Sequence, residues 1–447
     1  MLLFIQAGLT RLLAMSDNDR LRVAFVAGSL GQGGAEKQLL YLARELMRVR
    51  VDVRVLTLTH GEVCEPAFAE AGVPVEWVGR HRLPLRLIDL VTATRRFRPH
   101  IVQAGHFFTN LYAAGLARLC GVAGIGAIRN DARFDMEECG RWGGPLLRVP
   151  KSLIANSRTA AGYAEAAGVE ASRIHVLANV IDLDQFDRRA AGAAEAAEAA
   201  GSDEGFGADE ASGRVMADAS AATAKAGPAG AVEAVGRGLM ARATGMPGAE
   251  RREVIAAAVA RLVPAKRLDR FLRALARARR EEGLLRGLIV GDGPERARLE
   301  ALAGGLGLLP DGVTFLGACA DVPRVLAGAD MLVLTSQHEG FPNVLLEGMA
   351  ARLPIVTTPA GDAATLVDEG RSGFVVPFQD VDLLAERMQT LAQSRAMRRA
   401  LGAAGRARVE AQYRVDGLAV RALEIYHRIA ARQRLVKTLR AVDALAR

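Results

Sequence analysis

The chain has 447 residues, half of them hydrophobic, and its 58 basic against 50 acidic residues give a formal net charge of +8 at pH 7. This length exceeds what one hydrophobic core usually serves, so it predicts two domains with additional segments. The apolar runs are too short to span a bilayer, and the aromatic residues, at 5%, are too few for a single-stranded nucleic-acid surface. We therefore expect neither a membrane-spanning helix nor a nucleic-acid partner.

Residues 1–15 are apolar but interrupted by Gln6, Thr10 and Arg11, without a small-residue cleavage pattern. A signal peptide is therefore disfavoured, and we interpret this stretch as an N-terminal extension, either amphipathic or the product of a misplaced start codon. Four cysteines without metal-ligand or redox spacing predict free thiols in a reducing compartment. We expect a cytoplasmic protein, with peripheral contact to the inner face of the membrane as an option for its basic, partly apolar helices.

The first half of the chain alternates short apolar runs with stretches of helical spacing. The predicted strands of this half are residues 21–27, 51–57, 73–78, 100–104, 124–129 and 152–156. The first of them is followed by a glycine-rich loop, residues 28–34, and a helix over residues 35–47. Strands that alternate with helices pair in parallel and need cover on both faces. Residues 16–188 are thus predicted to form one doubly wound, Rossmann-like domain.

Residues 189–250 consist mainly of alanine, glycine and small acids, which predicts a disordered or weakly helical insertion or linker. The alternation then resumes and predicts a second such domain over residues 251–414. Its strands are predicted at residues 254–260, 286–290, 313–316, 331–334 and 354–358. Residues 415–447 are predicted as a helix and a basic tail, with the option of crossing back to the first domain. The fold class is α/β, with two doubly wound parallel-sheet domains facing a cleft.

The most informative segment follows the predicted strand 331–334 and has the sequence TSQHEGFPNVLLEGMA. It places Glu339 in a Gly/Pro turn, begins a helix near Pro342 and Asn343, and puts Glu347 one to two turns into that helix. Open α/β sheets bind ligands at such loops and helix N-termini. Carboxylates there accept hydrogen bonds from a sugar or a ribose. The segment predicts a site for a nucleotide-sugar.

Other strand-to-helix loops carry glycines or cations. Arg261 and Lys266 share the loop after the strand 254–260 and suit a diphosphate, although two ordinary exposed cations would fit the same pattern. Gly33 and Gly34 end the loop after the first strand, where a backbone can approach a ligand or can simply form a tight turn. Gly291 begins the sequence GDGPE, which repeats the strand, glycine loop and helix arrangement.

Four segments in this half, VARLVPAKRLD, LIVGDGPER, LVLTSQHEGFPNVLLEGMAARLPIVTT and GRSGFVVP, resemble in order and spacing the C-terminal half of the family 4 retaining glycosyltransferases of the GT-B fold. The segments GGAEKQLLYLARELMRVRVDVRVLTL, PHIVQAGHFFTNLYAAGLARLCGV and GAIRND resemble the N-terminal half of that family. The resemblance implies transfer of a sugar, with retention, from a nucleotide-diphosphate sugar to a glycan, lipid-linked or small acceptor. Cell-surface polysaccharide biosynthesis is the implied setting.

The resemblance also implies roles for matched positions. The donor sugar would be bound by Glu339 with the amides of Gly340 and Phe341, the ribose by Glu347, and the diphosphate by Arg261, Lys266, Gly33 and Gly34. Pro342, Asn343 and Gly291 complete the expected substrate-binding set. The family uses no divalent metal, so neither a metal nor a cofactor beyond the donor itself is implied.

The histidine that relatives often carry in this region is displaced here to His106. Either His106 does the same catalytic work after a small shift, or it is a polar residue at the end of a strand. Glu339 and Glu347 could instead form a glycosidase pair, which we disfavour because one lies on a loop and the other along the following helix. Two alternatives to transfer also stay open: a GT-B enzyme similar to nucleotide-sugar epimerases, and a non-catalytic nucleotide-sugar-binding subunit.

Overall fold

A computed structural model describes residues 20–79, 85–191, 253–281 and 283–432. The predicted extension 1–15, most of the predicted insertion 189–250 and the end of the basic tail therefore lie outside the described residues. The contacts divide the chain into a first unit, which runs to Val180 and resumes at Arg414, and a second unit, Ile181–Tyr413. The sequence predicted that the first domain ends at residue 188, that the second spans residues 251–414, and that a C-terminal segment follows from residue 415.

The first unit contains a sheet of seven strands. They are β1 (Arg22–Ala27), β2 (Asp52–Thr57), β3 (Val75–Trp77), β4 (Ile101–Ala104), β5 (Ala123–Ile128), β6 (Ser152–Ala155) and β7 (Ile174–Val176). Every pairing is parallel, and the order is β3-β2-β1-β4-β5-β6-β7. The chain therefore reverses its winding direction between β1 and β4. The short edge strand β7 was not predicted, because its three residues carry only a half-buried pattern without a run of apolar side chains.

Helices cover the first sheet. Their bounds are Gly34–Arg48, Glu65–Glu70, Leu85–Phe97, Asn110–Cys120, Ala132–Glu138, Gly143–Arg148, Arg158–Ala166 and Leu418–Arg432. The last of them packs on the helix Gly34–Arg48 and shares one core with β1. Its Tyr426 is fully buried and donates its hydroxyl hydrogen to Gln103 Oε1 at 2.6 Å. The sequence predicted this helix from residue 415, whereas residues 415–417 form a separate 3₁₀ turn.

The second unit contains a sheet of six strands. They are β8 (Val254–Val259), β9 (Leu285–Val290), β10 (Val313–Gly317), β11 (Met331–Leu334), β12 (Ile355–Thr357) and β13 (Gly373–Val375). The strands pair in parallel in the order β10-β9-β8-β11-β12-β13, so the winding reverses between β8 and β11. The predicted fold class, α/β with two doubly wound parallel sheets, is confirmed.

The helices of the second unit pack on both faces of its sheet. Their bounds are Leu268–Glu281, Arg296–Gly305, Val322–Ala327, Asn343–Ala350, Ala363–Leu366, Val381–Gln393 and Arg395–Gln412, with residues 183–191 also helical. The helix Arg395–Gln412 packs on Asn343–Ala350, and its buried Arg406 donates to both carboxylate oxygens of Asp187 at 2.7 Å. This fork explains why residues just after Val180 belong to the second unit. None of the helices in the described ranges has the length and apolarity needed to cross a bilayer.

Candidate functional site

The loops after β8 and β11 meet through an ion pair. Lys266 Nζ donates to Glu339 Oε1 at 2.6 Å, although the two residues are 73 positions apart in the chain. The two strands are neighbours at the point where the winding of the second sheet reverses. Loops that follow strands at such a switch point diverge and leave a crevice in which α/β proteins bind ligands. Two residues that the sequence proposed separately thus form one charged centre at the expected edge of the sheet.

Hydroxyl groups at the end of β11 hold this centre in place. Ser336 Oγ donates to Glu339 Oε1 at 2.7 Å, and Thr335 Oγ1 donates to the Lys266 carbonyl at 3.1 Å. Thr358, which follows β12, donates its hydroxyl hydrogen to the Ser336 carbonyl at 2.6 Å. Short hydroxyl side chains at the strand ends therefore hold the Glu339 carboxylate and the Lys266 backbone. Such support reduces the reorganisation needed when a ligand binds.

The backbone beside Glu339 is in close contact with the loop after β12. Gly361 has a φ of +55°, and a Cβ on it would lie 2.4 Å from the Gly340 carbonyl oxygen and 2.6 Å from that of Glu339. The Asp362 amide donates to the Gly340 carbonyl at 3.3 Å. Only glycine allows both this backbone conformation and this approach. The position of the Glu339–Gly340 peptide thus depends on Gly361, which the sequence did not single out.

The helix Asn343–Ala350 begins directly after this turn. Pro342 occupies its N-cap position and makes no side-chain hydrogen bond to the first amides, and the positive end of the helix dipole lies at this turn. Phe341 is buried and contacts the Tyr413 ring at 5.9 Å between centroids. Glu347 is half-buried and lies four residues after Asn343, on the same face of the helix.

Arg261 and Gly291 occupy different environments from Lys266. Arg261 is exposed, and within the described part of the chain no carboxylate forms an ion pair with it. Gly291 has a φ of +134°, and a Cβ on it would lie 1.9 Å from the Ala260 carbonyl oxygen. The loop after β9 is thereby packed on the loop that carries Arg261, with the Leu262 amide donating to the Asp292 carbonyl at 2.9 Å. The requirement for glycine at position 291 is explained by this backbone contact.

In the first unit, His106 joins the loops after β1 and β4 at the corresponding switch point. Its Nδ1 accepts from the Gly28 amide at 3.1 Å, so a neutral ring carries its hydrogen on Nε2. That nitrogen lies 3.2 Å from Glu36 Oε1. Burial raises the pKa of Glu36, but the hydrogen bond from His106, with further hydrogen bonds, outweighs it and leaves that pKa below its usual range. Both ring nitrogens are thus engaged within this unit.

The glycine-rich loop itself is open where its last glycines lie. Gly33 and Gly34 are exposed, and Gly33 is the N-cap of the helix Gly34–Arg48 without a side-chain hydrogen bond to it. A Cβ on Gly33 would lie 2.3 Å from Glu36 Oε2. The glycine therefore allows the buried Glu36 carboxylate to lie close under the turn and beside His106.

The structure brings together some of the predicted residues and adds others. It joins Lys266 to Glu339 and places Gly340 beside them, whereas Arg261 is separate from this ion pair. The sequence analysis missed Ser336 and Glu36. A signal existed for both: Ser336 is the second of two hydroxyl residues directly after a buried strand, and Glu36 lies in the first turn of the helix that follows a glycine-rich loop. Within the described ranges, no three His, Cys, Asp or Glu side chains form a group that could hold a metal ion.

Two family models match the chain. Residues 32–185 match the model described as Glycosyltransferase Family 4. Residues 253–394 match the model described as Glycosyl transferases group 1. The two matches cover every strand described above except β1, which precedes residue 32.

Individual proteins are similar over shorter stretches. Over 148 residues, 32% of this chain, it is 40% identical to the exopolysaccharide phosphotransferase SCO2592 of Streptomyces coelicolor. Over 172 residues, 36% of this chain, it is 36% identical to a GDP-mannose-dependent phosphatidylinositol monomannoside mannosyltransferase of Mycobacterium tuberculosis. These stretches span only 15% and 44% of the respective relatives. The crystal structure of Anabaena HepE in complex with UDP-glucose superposes with a TM-score of 0.70 at 20% identity, over 91% of this chain and 99% of that one.

Proposed function

Since the chain belongs to the family 4 glycosyltransferases of the GT-B fold, we propose that it moves a sugar from a nucleotide-diphosphate sugar to a glycan, lipid-linked or small acceptor. The transfer retains the anomeric configuration and needs no divalent metal. The setting is cell-surface polysaccharide or glycolipid synthesis in the cytoplasm, at the inner face of the membrane. The names of the relatives support this setting, since they include an exopolysaccharide and a phosphatidylinositol mannoside enzyme.

The observation that carries the proposal is the Lys266–Glu339 pair at the switch point of the second sheet. A cation and a hydroxyl-accepting carboxylate lie side by side there, 2.6 Å apart, next to the start of the helix Asn343–Ala350, whose N-cap makes no side-chain hydrogen bond. A diphosphate needs positive charge and amide donors, and a sugar needs acceptors for its hydroxyl hydrogens. A nucleotide-sugar carries a diphosphate and sugar hydroxyls at adjoining positions, so it meets both kinds of group in this site. Inorganic phosphate lacks the sugar hydroxyls, and a free sugar lacks the diphosphate.

In the proposed complex, each partner of the pair exchanges its present contact for a ligand group. Glu339 accepts from hydroxyls of the donor sugar, and Lys266 neutralises charge that develops on the departing diphosphate. Arg261, exposed on the same loop, adds a second cation, and Glu347 binds the ribose. Cations and helix amides aimed at a developing charge typically lower a barrier by about 3–4 kcal/mol per group. His106 is proposed as a positioning residue that holds the glycine-rich turn, since both its ring nitrogens bond to that loop and its helix.

A donor panel tests the proposal. Purified full-length protein is incubated with nucleotide-sugars of different bases and sugars, with and without EDTA, and the products are separated and identified by NMR. Slow hydrolysis or transfer that survives EDTA, with an α-linked product from an α-linked donor, supports the proposal. An isomerised nucleotide-sugar would identify the protein as an epimerase. Binding without any turnover would identify a non-catalytic subunit, and either of these results would refute the proposed reaction.

Two variants connect the activity to the site. Lys266→Ala is expected to lower the turnover of the accepted donor by about 10²–10³-fold, because it removes a charge at the leaving group. Lys151→Ala is the matched control, since Lys151 is an exposed lysine of the first unit, outside the proposed site. Equal activity in the two variants would remove Lys266 from the mechanism while leaving the donor result intact.

A further inference from the structure

A cavity of the first unit lies at the amino ends of β5 and β6. Its wall includes two cations and several small or apolar side chains, namely Arg118, Lys151, Ala114, Ala117, Val122 and Val149. Val122 directly precedes β5, and Lys151 directly precedes β6. Because the strands of this sheet pair in parallel, the cavity lies at the edge opposite the one that carries His106. It is therefore separate from the candidate functional site.

The two cations of this cavity have no acidic partner. Arg118 and Lys151 are both exposed, and no carboxylate of the described residues forms an ion pair with either side chain. The cavity lining contains neither Asp nor Glu. Two positive charges that line one small cavity without a carboxylate attract an anion, and a phosphate can accept hydrogen bonds from both groups.

Three further arginines add positive charge around the cavity. Arg173 donates to the carbonyls of Arg148 and Lys151 at 2.7 and 3.2 Å, and Arg95 donates to the Leu119 carbonyl at 3.5 Å. The Arg148 guanidinium likewise donates to a backbone carbonyl, at 2.9 Å. Carbonyl oxygens carry no net charge, so these bonds order the loop before β6 without neutralising the arginines. Within the part of the chain that the structure describes, none of the three forms an ion pair with an acid.

Two large apolar side chains are exposed on the same edge. Leu119 follows Arg118 near the end of the helix Asn110–Cys120, Val149 lies in the cavity wall, and each is 51% exposed. Single exposed apolar residues are ordinary on a protein surface. Apolar side chains among unpaired cations, however, form the combination that binds the headgroup region of an anionic bilayer.

The size of the cavity also indicates what it can hold. Its volume is about 200 Å³. This is less than the roughly 300–1,000 Å³ of sites that enclose a whole drug-sized ligand, and it corresponds to about seven water molecules of ~30 Å³ each. The space therefore suits one end of a larger ligand, such as the phosphate and first carbons of a lipid.

We propose that this edge of the first unit docks on a bilayer that contains anionic phospholipid, with one lipid phosphate bound by Arg118 and Lys151. The first carbons of that lipid contact Val149 and the other apolar side chains of the cavity, and Leu119 enters the headgroup region. The inference rests on the proposed setting at the membrane, but the docking needs neither donor nor acceptor. A bilayer on this edge leaves the loops after β1 and β4, at the opposite edge, open to substrates.

Co-sedimentation of the full-length protein with vesicles measures the docking. Vesicles of phosphatidylcholine and phosphatidylglycerol in equal amounts carry the anionic lipid, and vesicles of phosphatidylcholine alone are the reference. We expect much stronger binding to the anionic vesicles, which weakens as sodium chloride is added because salt screens surface charges. Equal binding to both kinds of vesicle, or no binding to the anionic ones, would overturn the proposal.

Matched charge changes locate the docking surface. The double variant Arg118→Gln, Lys151→Gln should lower the vesicle partition coefficient by about 30-fold, because each basic residue near an anionic membrane contributes about fivefold. The control Arg133→Gln, Arg141→Gln removes the same charge from exposed residues after the carboxyl end of β5. It should change the partition little, because at about 0.1 M salt a charge acts over only about 10 Å. Equal losses in the two double variants would show attraction by net charge alone and would refute the site.

Uncharged substitutions test the apolar part of the surface. Leu119→Ser should weaken vesicle binding by about three- to tenfold, because serine has little apolar area to bury in the bilayer. Ala114→Leu fills part of the cavity without changing the charge and should weaken binding several-fold. Melting temperatures confirm that both variants are folded. Wild-type binding in both would show that no lipid contacts this surface.

Donor hydrolysis without vesicles is measured on the same proteins, so that the two proposals can fail separately. The Arg118→Gln, Lys151→Gln variant should hydrolyse the accepted nucleotide-sugar at the wild-type rate. If the wild-type protein turns over a donor but does not bind anionic vesicles, only the docking site is wrong. If it binds them through Arg118 and Lys151 but turns over no donor, the proposed reaction is wrong and the docking site remains. A DNA duplex that displaces the vesicles from the wild-type protein would instead assign this edge to a nucleic acid and refute the docking site.

Discussion

Removing the charges of Lys266 and Glu339, singly and together, would measure how far this pair acts as one unit. The separation of 2.6 Å corresponds to a gross attraction of roughly 6 kcal/mol at an effective dielectric constant of about 20. The side chains are only 20% and 11% exposed, so lost hydration offsets most of that attraction. We expect Lys266→Met to lower the free energy of unfolding by about 1–3 kcal/mol, because among the described residues it leaves Ser336 as the remaining side-chain donor to the Glu339 carboxylate.

Glu339→Gln should be less destabilising, since the amide oxygen still accepts from Lys266. The double variant should lose less stability than the two single changes added, because it leaves no unpaired charge. For donor turnover, each single variant is expected to lose about 10²–10³ in kcat/KM, and the double variant about as much as either one. Urea unfolding of the four proteins gives the double-mutant cycle for stability, and initial-rate assays give the double-mutant cycle for kcat/KM. The shared role would be refuted if the loss in the double variant equalled the product of the two single losses. It would also be refuted if either single variant kept the wild-type rate.

The exposed pair Arg296–Glu300 provides the reference for these values. Its Nε and Oε1 atoms are 2.8 Å apart, at side chains that are 32% and 41% exposed. Glu300→Gln should therefore change the unfolding free energy by less than about 1 kcal/mol and leave turnover unchanged. A comparable rate loss in this variant would mean that charge changes in the second unit act through general destabilisation.

Two further substitutions test residues that support the switch-point loops of the two units, and a third tests an acid in the helix Ala132–Glu138. Gly361→Ala should weaken donor binding and lower stability more than Gly370→Ala, because both positions have positive φ but only Gly361 has carbonyl oxygens within 2.6 Å of a Cβ. His106→Ala should lower the melting temperature and raise the donor KM, whereas His106→Asn should restore part of both by keeping an acceptor for the Gly28 amide. Asp135→Asn should raise the melting temperature more at pH 8 than at pH 5, because burial raises the pKa of Asp135 to about 7.

The sign of the last prediction follows from linkage. An acid whose pKa is raised by folding binds its proton more tightly in the folded state, so stability falls as the pH rises from about 4 to about 7. Asparagine does not titrate and removes that fall. If the difference in melting temperature between Asp135→Asn and the wild type were the same at pH 5 and pH 8, this prediction would be wrong.

The other two substitutions have their own contrary outcomes. Equal losses of stability in Gly361→Ala and Gly370→Ala would contradict the close-approach argument. A His106→Asn variant as impaired as His106→Ala would contradict the positioning role.

Much of the second unit follows from its sequence alone. The strand Met331–Leu334 is a continuous apolar run, and the Gly-Phe-Pro turn after it favours the start of a new helix, which begins at Asn343. Loops after buried parallel strands lie at one edge of the sheet, so the sequence predicts that the segments of Lys266 and Glu339 lie at that edge, and their assignment with Glu347 to a ligand site stays a prediction. These inferences are local, since they depend on hydrophobic pattern and turn chemistry within a few residues.

The pairing of distant residues was decided by the tertiary structure. Lys266 bonds to Glu339, and Glu36 to His106, because β8 is a neighbour of β11 and β1 of β4, and strand order is set by how whole units pack. The same holds for the helix Leu418–Arg432, which joins the first unit because Tyr426 is buried beside Gln103 of β4. A sequence pattern states which side chains seek burial or a partner, but not which distant group supplies it. The partner is determined by which distant strands and helices pack together in the folded unit.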